Sequence, residues 1–154
     1  MTSSVESALN GLGLTLPEAI APVANYVPYV RTGNLLFVSG QISKTAAGAA
    51  VTGKLGVDVD VAGGQKAAEL CALNILAQVK AAVGDLDRIV RVVRLNAFVN
   101  SAPDFTDQPQ VVNGASNLIA NVLGEKGKHS RTAVGVAALP LGVAVEIDAI
   151  IEVS

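Results

Sequence analysis

The stretch SRTAVGVAALPLGVAVEIDAI, Ser130–Ile150, decides the expected fold, because it holds no charged residue between Arg131 and Glu146. Its apolar residues predict two β-strands, Arg131–Ala138 and Val143–Val153, joined at the sequence LPLG. We expect these strands to pair as an antiparallel hairpin. With a turn of even length, Arg131 then shares a sheet face with Glu146, about 7–13 Å away at ~3.3 Å per residue, whereas a one-residue bulge reverses this parity.

Small residues separate the two charges in this register: Ala133, Gly135, Ala137 and Ala144. A cation and an anion above small side chains predict a shallow slot for a small molecule. The alternative is a solvent-facing sheet with scattered charges, and this stretch alone leaves both open. Alternation puts an apolar set on the opposite face, where helices are expected to pack: Val143, Val145, Ile147, Ala149, Ile151 and Val153.

The periodicity upstream of this stretch predicts the remaining elements. They are a short helix over Ser4–Asn10, a strand over Asn34–Ile42, a helix from Val61 or Gln65 to Val83, a strand over Arg88–Asn100 and a helix over Gln108–Leu123. Ser3 and Glu6 form a capping-box pattern before the first helix. Residues 14–32 contain three prolines and are expected to be an extended or turning lead-in. This order predicts an α+β or α/β sandwich with helices on one face of a sheet.

Composition favours one domain, residues 1–154, with 1–25 as an N-terminal extension. Charged residues make up only 16%, so we expect part of the surface to be hidden in an oligomer. The longest charge-free apolar segment, Thr132–Val145, is too short to span a membrane, and no signal-peptide pattern opens the chain, so the expected location is the cytoplasm. The net charge of −2 and the 3% aromatic content argue against nucleic-acid binding as the main function.

Three other features have structural interpretations. The predicted strand carries three arginines at a spacing of three residues, Arg88, Arg91 and Arg94. They cannot all lie on one face of a regular strand, so we interpret them as solvated charges. Cys71, the only cysteine, lies on the apolar stripe of its helix and is expected to be a buried thiol. His129, the only histidine, is interpreted as a structural residue or as part of the edge of the site.

The sequence GNLLFVSGQI, Gly33–Ile42, together with the stretch quoted first, resembles the reactive intermediate deaminase family, RidA/YjgF, also described as L-PSP endoribonuclease-like. The resemblance extends in order over Tyr26–Val153, and the longer N-terminus and the GKLG of Gly53–Gly56 suggest a divergent branch of about 150 residues. It implies a chorismate-mutase-like fold with a mixed sheet and two main helices on one face. It further implies a homotrimer with ligand sites in clefts between subunits, and no cofactor or metal.

The resemblance also implies a reaction, the hydrolysis of small 2-imino or enamino acids to 2-keto acids and ammonia. Arg131 falls on the arginine that binds the substrate carboxylate, and a guanidinium can pair with both oxygens at once. Glu146 falls on the glutamate that orients the attacking water and moves protons. The backbone of Ser39 and Gly40 lines the site in the family, and glycine allows a ligand to approach closely.

Three further positions follow from the same resemblance. Tyr29, in PYV, matches a tyrosine that closes the pocket, although the residues after it differ from the family pattern. Asn113 aligns loosely with an asparagine at the start of the second main helix. Ala133 stands where many deaminases of the family carry a cysteine, so the expected site has no thiol.

Three functions therefore compete. The first is an imine deaminase, and the second is a non-catalytic trimer that binds a small carboxylate metabolite. The third and weakest is an endoribonuclease or translation inhibitor, because the chain has one histidine, few aromatic residues and a net negative charge.

Overall fold

Apolar residues at helical and alternating spacing form the elements of this fold in a computed structural model, which describes residues 2–21, 25–45 and 47–154. The elements are α1 Ser4–Gly11, β1 Tyr29–Thr32, β2 Leu35–Ile42, α2 Val61–Val83, β3 Ile89–Asn100, α3 Gln108–Leu123, β4 Ser130–Val136 and β5 Val145–Val153. Short 3₁₀ turns lie at Leu86–Arg88, Gly124–Gly127 and Pro140–Gly142. The predicted α+β fold with a mixed sheet and two main helices is confirmed, while β1 was not expected as a strand.

The five strands lie in the order β1-β2-β5-β3-β4. β4 pairs in parallel with β3, and all other neighbours are antiparallel. The predicted hairpin of Arg131–Ala138 with Val143–Val153 is therefore wrong, because β3 lies between these two strands. Parallel strands need a crossover, and α3 supplies it between β3 and β4, so the LPLG connection passes from the edge strand to the central strand.

The two faces of the sheet differ in what covers them. On β5, the alternate residues Val145, Ile147, Ala149, Ile151 and Val153 are at most 2% exposed and pack under the helices, as predicted. We call the other side the open face; it carries Glu146, Asp148, Ile150 and Glu152 of β5, all half-buried. Three of these four side chains are acidic, so the open face of β5 is mainly polar, whereas the helix-covered face is apolar.

Two of the three spaced arginines do share the open face. Arg91 is paired with Glu152 and Arg94 with Ile150, two residues of the same face of β5. The pairing shifts between Ile89 and Arg91 and again between Val92 and Arg94, and each irregularity resets the alternation. Spacing three is thus compatible with one face wherever a strand carries bulges.

The helical layer is tightly built. A Cβ on Gly114 of α3 would collide with the carbonyl oxygen of Gln65 in α2, so the two helices approach at backbone distance only because this residue is glycine. α1 begins with the predicted capping box of Ser3 and Glu6. Within the described ranges, neither α2 nor any other helix is long and apolar enough to cross a membrane.

Candidate functional site

Arg131 and Glu146 lie on opposite faces of the sheet. Arg131 is paired with Leu95 of β3, and Glu146 is paired with Phe98 of the same strand. Leu95 and Phe98 are three positions apart with no register shift between them, so their side chains point to opposite sides. The two charges are also about 10 Å apart along the strands and two inter-strand spacings of ~4.8 Å apart across them. One copy of the chain therefore does not bring both to one small molecule.

The Arg131 guanidinium rests against α3. Nη1 donates to Asn113 Oδ1 at 2.8 Å and to Ser116 Oγ at 3.1 Å, and Nη2 donates to the Pro109 carbonyl at 3.3 Å. Lys80–Glu6 and Lys128–Glu125 are the only ion pairs in the described part of the chain, so Arg131 is held by neutral oxygens alone. Its Nε–H and one Nη2–H are left over, and two such donors on one guanidinium match the two oxygens of a carboxylate.

Asn113 thus lies beside Arg131, and its amide oxygen orients the guanidinium. Ala133 is paired with Ala97 and lies on the same side as Arg131, partly buried against the core. Ala133, where the resemblance led us to expect the cysteine of many deaminases, therefore points toward the helical layer and away from Glu146.

Glu146 lines a cavity of about 400 Å³ on the open face, with Ser39, Gly40, Tyr26, Lys44 and Leu141. A Cβ on Gly40 would lie 2.5 Å from Glu146 Oε1. We expected Gly40 to leave room for a ligand. In this chain, the space that a side chain at this position would take is occupied by the Glu146 carboxylate. Ser39 is fixed by a hydrogen bond of its hydroxyl to the Val27 carbonyl, 2.7 Å away.

The GKLG motif fixes another wall of this cavity. The Gly53 amide donates to the Gly142 carbonyl at 3.0 Å, and Lys54 Nζ donates to Asn100 Oδ1 at 2.7 Å and to the Ala137 carbonyl. These bonds hold the β4–β5 connection from both ends. Leu141, at its tip, keeps a left-handed φ of 59° and is 81% exposed beside the cavity.

Burial raises the pKa of the Glu146 carboxyl, and the negative charge of Asp148 raises it further. Asp148 lies two residues along the same face and accepts a hydrogen bond from Asn96 Nδ2 at 2.7 Å. Among the described residues, no donor is hydrogen-bonded to the Glu146 carboxylate. A carboxyl of this kind holds and releases a proton closer to neutral pH than an ordinary glutamate, as a general acid–base group requires.

This raised pKa predicts a pH-dependent stability difference between wild type and Glu146→Gln. The folded state binds the Glu146 proton more tightly than the unfolded state, so protonation of this residue favours folding at low pH and its ionisation opposes folding at neutral pH. We expect Glu146→Gln to raise Tm at about pH 7 and to lose that advantage as the pH falls toward the ordinary glutamate range near 4.5.

Thermal denaturation across this pH range measures the effect. Glu152→Gln is the matched control, since it removes one negative charge from the same face of the same strand. If the Tm of Glu146→Gln exceeds that of wild type by the same amount at pH 4.5 as at pH 7, the raised pKa of Glu146 is contradicted.

Tyr26, and not the expected Tyr29, lines the cavity beside Glu146 in this chain. Tyr29 is paired with Val38, a helix-side residue, and packs partly buried against the core. It lies on the edge strand β1, four inter-strand spacings or about 19 Å from the other edge strand, which carries Arg131. Tyr26, which sequence analysis passed over, is 57% exposed and lines the cavity beside Glu146. The only available signal was a second tyrosine three residues before Tyr29.

The structure therefore brings the site residues together in two groups. Ser39, Gly40 and Glu146 meet on the open face, and Arg131, Asn113 and Ala133 meet against α3, while the Tyr29 side chain lies on the helix side of the strand next to Ser39. Cys71 is fully buried, as predicted, and burial raises the pKa of its thiol. Within the described residues, no three His, Cys, Asp or Glu side chains are placed to hold a metal ion.

The sequence and fold match one protein class over nearly the whole chain. The family model described as "YjgF/chorismate_mutase-like, putative endoribonuclease" matches residues 6–152, which includes most of the expected N-terminal extension. The chain belongs to this RidA/YjgF family.

Three similar proteins illustrate its range. A solved structure from Agrobacterium tumefaciens, of unknown function, is 59% identical, with 98% of this chain and 93% of that chain covered and a TM-score of 0.93. Protein TCP17 of Trypanosoma cruzi is 54% identical over 97% of this chain and 94% of its own length. E. coli TdcF, solved with bound serine, is 30% identical over 90% and 93% of the two chains, with a TM-score of 0.60.

Proposed function

We propose that this protein hydrolyses small 2-imino and enamino acids to 2-keto acids and ammonia in clefts formed between copies of the chain. The observation that carries this proposal is the placement of Arg131 and Glu146. Arg131 offers two unused N–H donors against α3, and Glu146 offers a carboxyl of raised pKa on the opposite face. A second copy whose α3 side meets the open face of the first brings the two together.

The reaction needs little else from the protein. Arg131 holds the substrate carboxylate, and this fixes the imine carbon near Glu146. Glu146 accepts a proton from water as the water oxygen bonds to that carbon, and it delivers this proton to the imine nitrogen, giving a neutral carbinolamine. Glu146 then accepts the carbinolamine hydroxyl proton and delivers it to the same nitrogen as the C–N bond breaks, so that the carbonyl of the keto acid forms, ammonia leaves and the carboxylate is regenerated. Atoms balance as imino acid plus water giving keto acid plus ammonia.

A trimer that binds a small carboxylate without turning it over is the second candidate. Ala133 supports it, because the thiol of many deaminases of the family is missing. The serine bound to TdcF supports it too, since an amino acid offers the carboxylate that Arg131 is suited to hold.

Pyruvate release from 2-iminopropanoate, generated in situ from alanine by an amino-acid oxidase, separates the two candidates. Acceleration over the spontaneous rate by wild type, lost in Arg131→Ala, supports the deaminase. Pyruvate binding by calorimetry without acceleration supports the binder. Cleavage of RNA under the same conditions would instead revive the endoribonuclease.

The shared cleft requires an assembly, and we predict a homotrimer. Light scattering coupled to size exclusion should report about three times the 15.6 kDa of one chain. The open face, with Phe37 41% and Val134 39% exposed, is the surface we expect the contact to cover. A clean monomer at micromolar concentration would contradict the shared cleft.

A further inference from the structure

His129 is bonded on both sides of its ring. Its Nδ1 lies 2.6 Å from the Gly127 carbonyl oxygen, and its Nε2 lies 2.8 Å from Ser116 Oγ on α3. A carbonyl oxygen only accepts hydrogen bonds, so Nδ1 carries the proton. In the neutral ring Nε2 is then an acceptor, and the Ser116 hydroxyl donates to it. This tautomer is assigned from the hydrogen-bond network.

The Gly127 carbonyl that sets the tautomer is itself fixed by packing. Gly127 is buried at the end of the turn after α3, and a Cβ there would lie 2.5 Å from the Ile119 carbonyl oxygen. The backbone of the turn therefore packs directly against the backbone of α3, with no side chain between them. A ring held from this turn does not rotate freely, and neither does the hydroxyl that bonds it.

The Ser116 hydroxyl also faces Arg131. With its proton committed to His129, its oxygen presents lone pairs, and Arg131 Nη1 donates to it at 3.1 Å. Nη1 is thereby saturated by Ser116 and Asn113. Saturation of this end of the guanidinium leaves Nε–H and one Nη2–H for a ligand.

We propose that His129 and Ser116 are a positioning pair for Arg131: the Nδ1–H tautomer of His129 orients the Ser116 hydroxyl, which holds the guanidinium with its free N–H donors turned toward the ligand. This inference rests on the proposed role of Arg131 as the carboxylate anchor. In this role His129 acts on the ligand only through Ser116 and Arg131, as a structural residue.

The tautomer can be measured directly, because the chain has a single histidine. A long-range ¹H–¹⁵N spectrum at about pH 8, above the range in which histidines ordinarily titrate, should show Nδ1 protonated and Nε2 unprotonated. A neutral imidazole in water favours the opposite tautomer, so this result is not the default. An Nε2–H tautomer would overturn the proposal.

Ser116→Ala keeps a good helix former but removes the hydroxyl. We expect its Kd for pyruvate to rise about 3- to 10-fold, the range for one ordinary hydrogen bond, because Ser116 orients the anchor and the anchor itself remains, with Ser116→Thr recovering most of the affinity. Asn117→Ala, the next residue of α3 and exposed, is the control. His129→Phe should weaken binding in the same direction, and His129→Gln, which keeps an amide acceptor, less so. Unchanged affinity in Ser116→Ala contradicts the positioning role.

A readout without a ligand separates failure of this inference from failure of the proposed function. The Arg131 Nε–H signal, assigned by its absence in Arg131→Lys, should exchange with water at least about threefold faster in Ser116→Ala than in wild type. If wild type binds no pyruvate, the proposed function fails, but faster exchange still supports the pair. Equal Nε–H exchange rates in Ser116→Ala and wild type would overturn the positioning role of Ser116.

Discussion

Glu146→Gln is expected to bind pyruvate nearly as wild type does while turning over 2-iminopropanoate roughly 10²- to 10⁴-fold more slowly, the range for a missing general acid–base group. Glutamine keeps the shape and one hydrogen-bonding oxygen, but it cannot accept the proton of the attacking water. A group that acts only in the transition state affects kcat and leaves ground-state affinity almost intact. Pyruvate release and calorimetric titration on the same preparation measure both quantities.

Glu152→Gln is the matched control, because it makes the same change six residues further along β5 on the same face. It should keep full activity. Full activity in Glu146→Gln would show that this carboxyl only lines the cavity, and the raised pKa would then have no catalytic meaning.

Arg131→Lys is expected to weaken pyruvate binding roughly 10- to 150-fold, as for a loss of about 1.5–3 kcal/mol in charge-assisted hydrogen bonding. A lysine keeps the positive charge, but its ammonium group cannot place two coplanar N–H donors against the two oxygens of a carboxylate. It also cannot contact Asn113, Ser116 and the Pro109 carbonyl in the same geometry as the guanidinium.

Arg31→Lys, at an exposed position on β1, controls for the substitution itself. It should bind pyruvate as wild type does. Unchanged affinity in Arg131→Lys would mean that Arg131 is not the anchor, whether or not the protein is a deaminase.

The helices and the faces of the strands were predictable because each follows from local spacing. α3 begins at Gln108 and ends at Leu123 as expected, since its apolar stripe is regular and Gly124 stops it. The apolar alternation of β5 likewise gave its buried face correctly. These features depend on side chains a few residues apart, which the sequence displays.

The neighbours of each strand were not predictable in the same way. Alternation tells which side chains share a face of one strand, but it does not tell which strand lies next to it. The hairpin prediction assumed that strands joined by LPLG pair with each other, and the insertion of β3 between them moved Arg131 to the other face from Glu146. Gly40 illustrates the same limit, because the group it accommodates lies more than a hundred residues away in the chain.

Because Arg131 and Glu146 lie on opposite faces of the sheet, we expect two defective variants to complement each other in the proposed trimer. Consider trimers assembled at random from equal amounts of Arg131→Ala and Glu146→Gln chains. A cleft is intact when a Glu146→Gln chain supplies Arg131 and an Arg131→Ala chain supplies Glu146. This happens in about a quarter of clefts if each cleft takes one residue from each of two subunits. Denaturing and refolding the two inactive variants together should therefore restore about a quarter of wild-type activity, whereas a site contained in one chain would restore none.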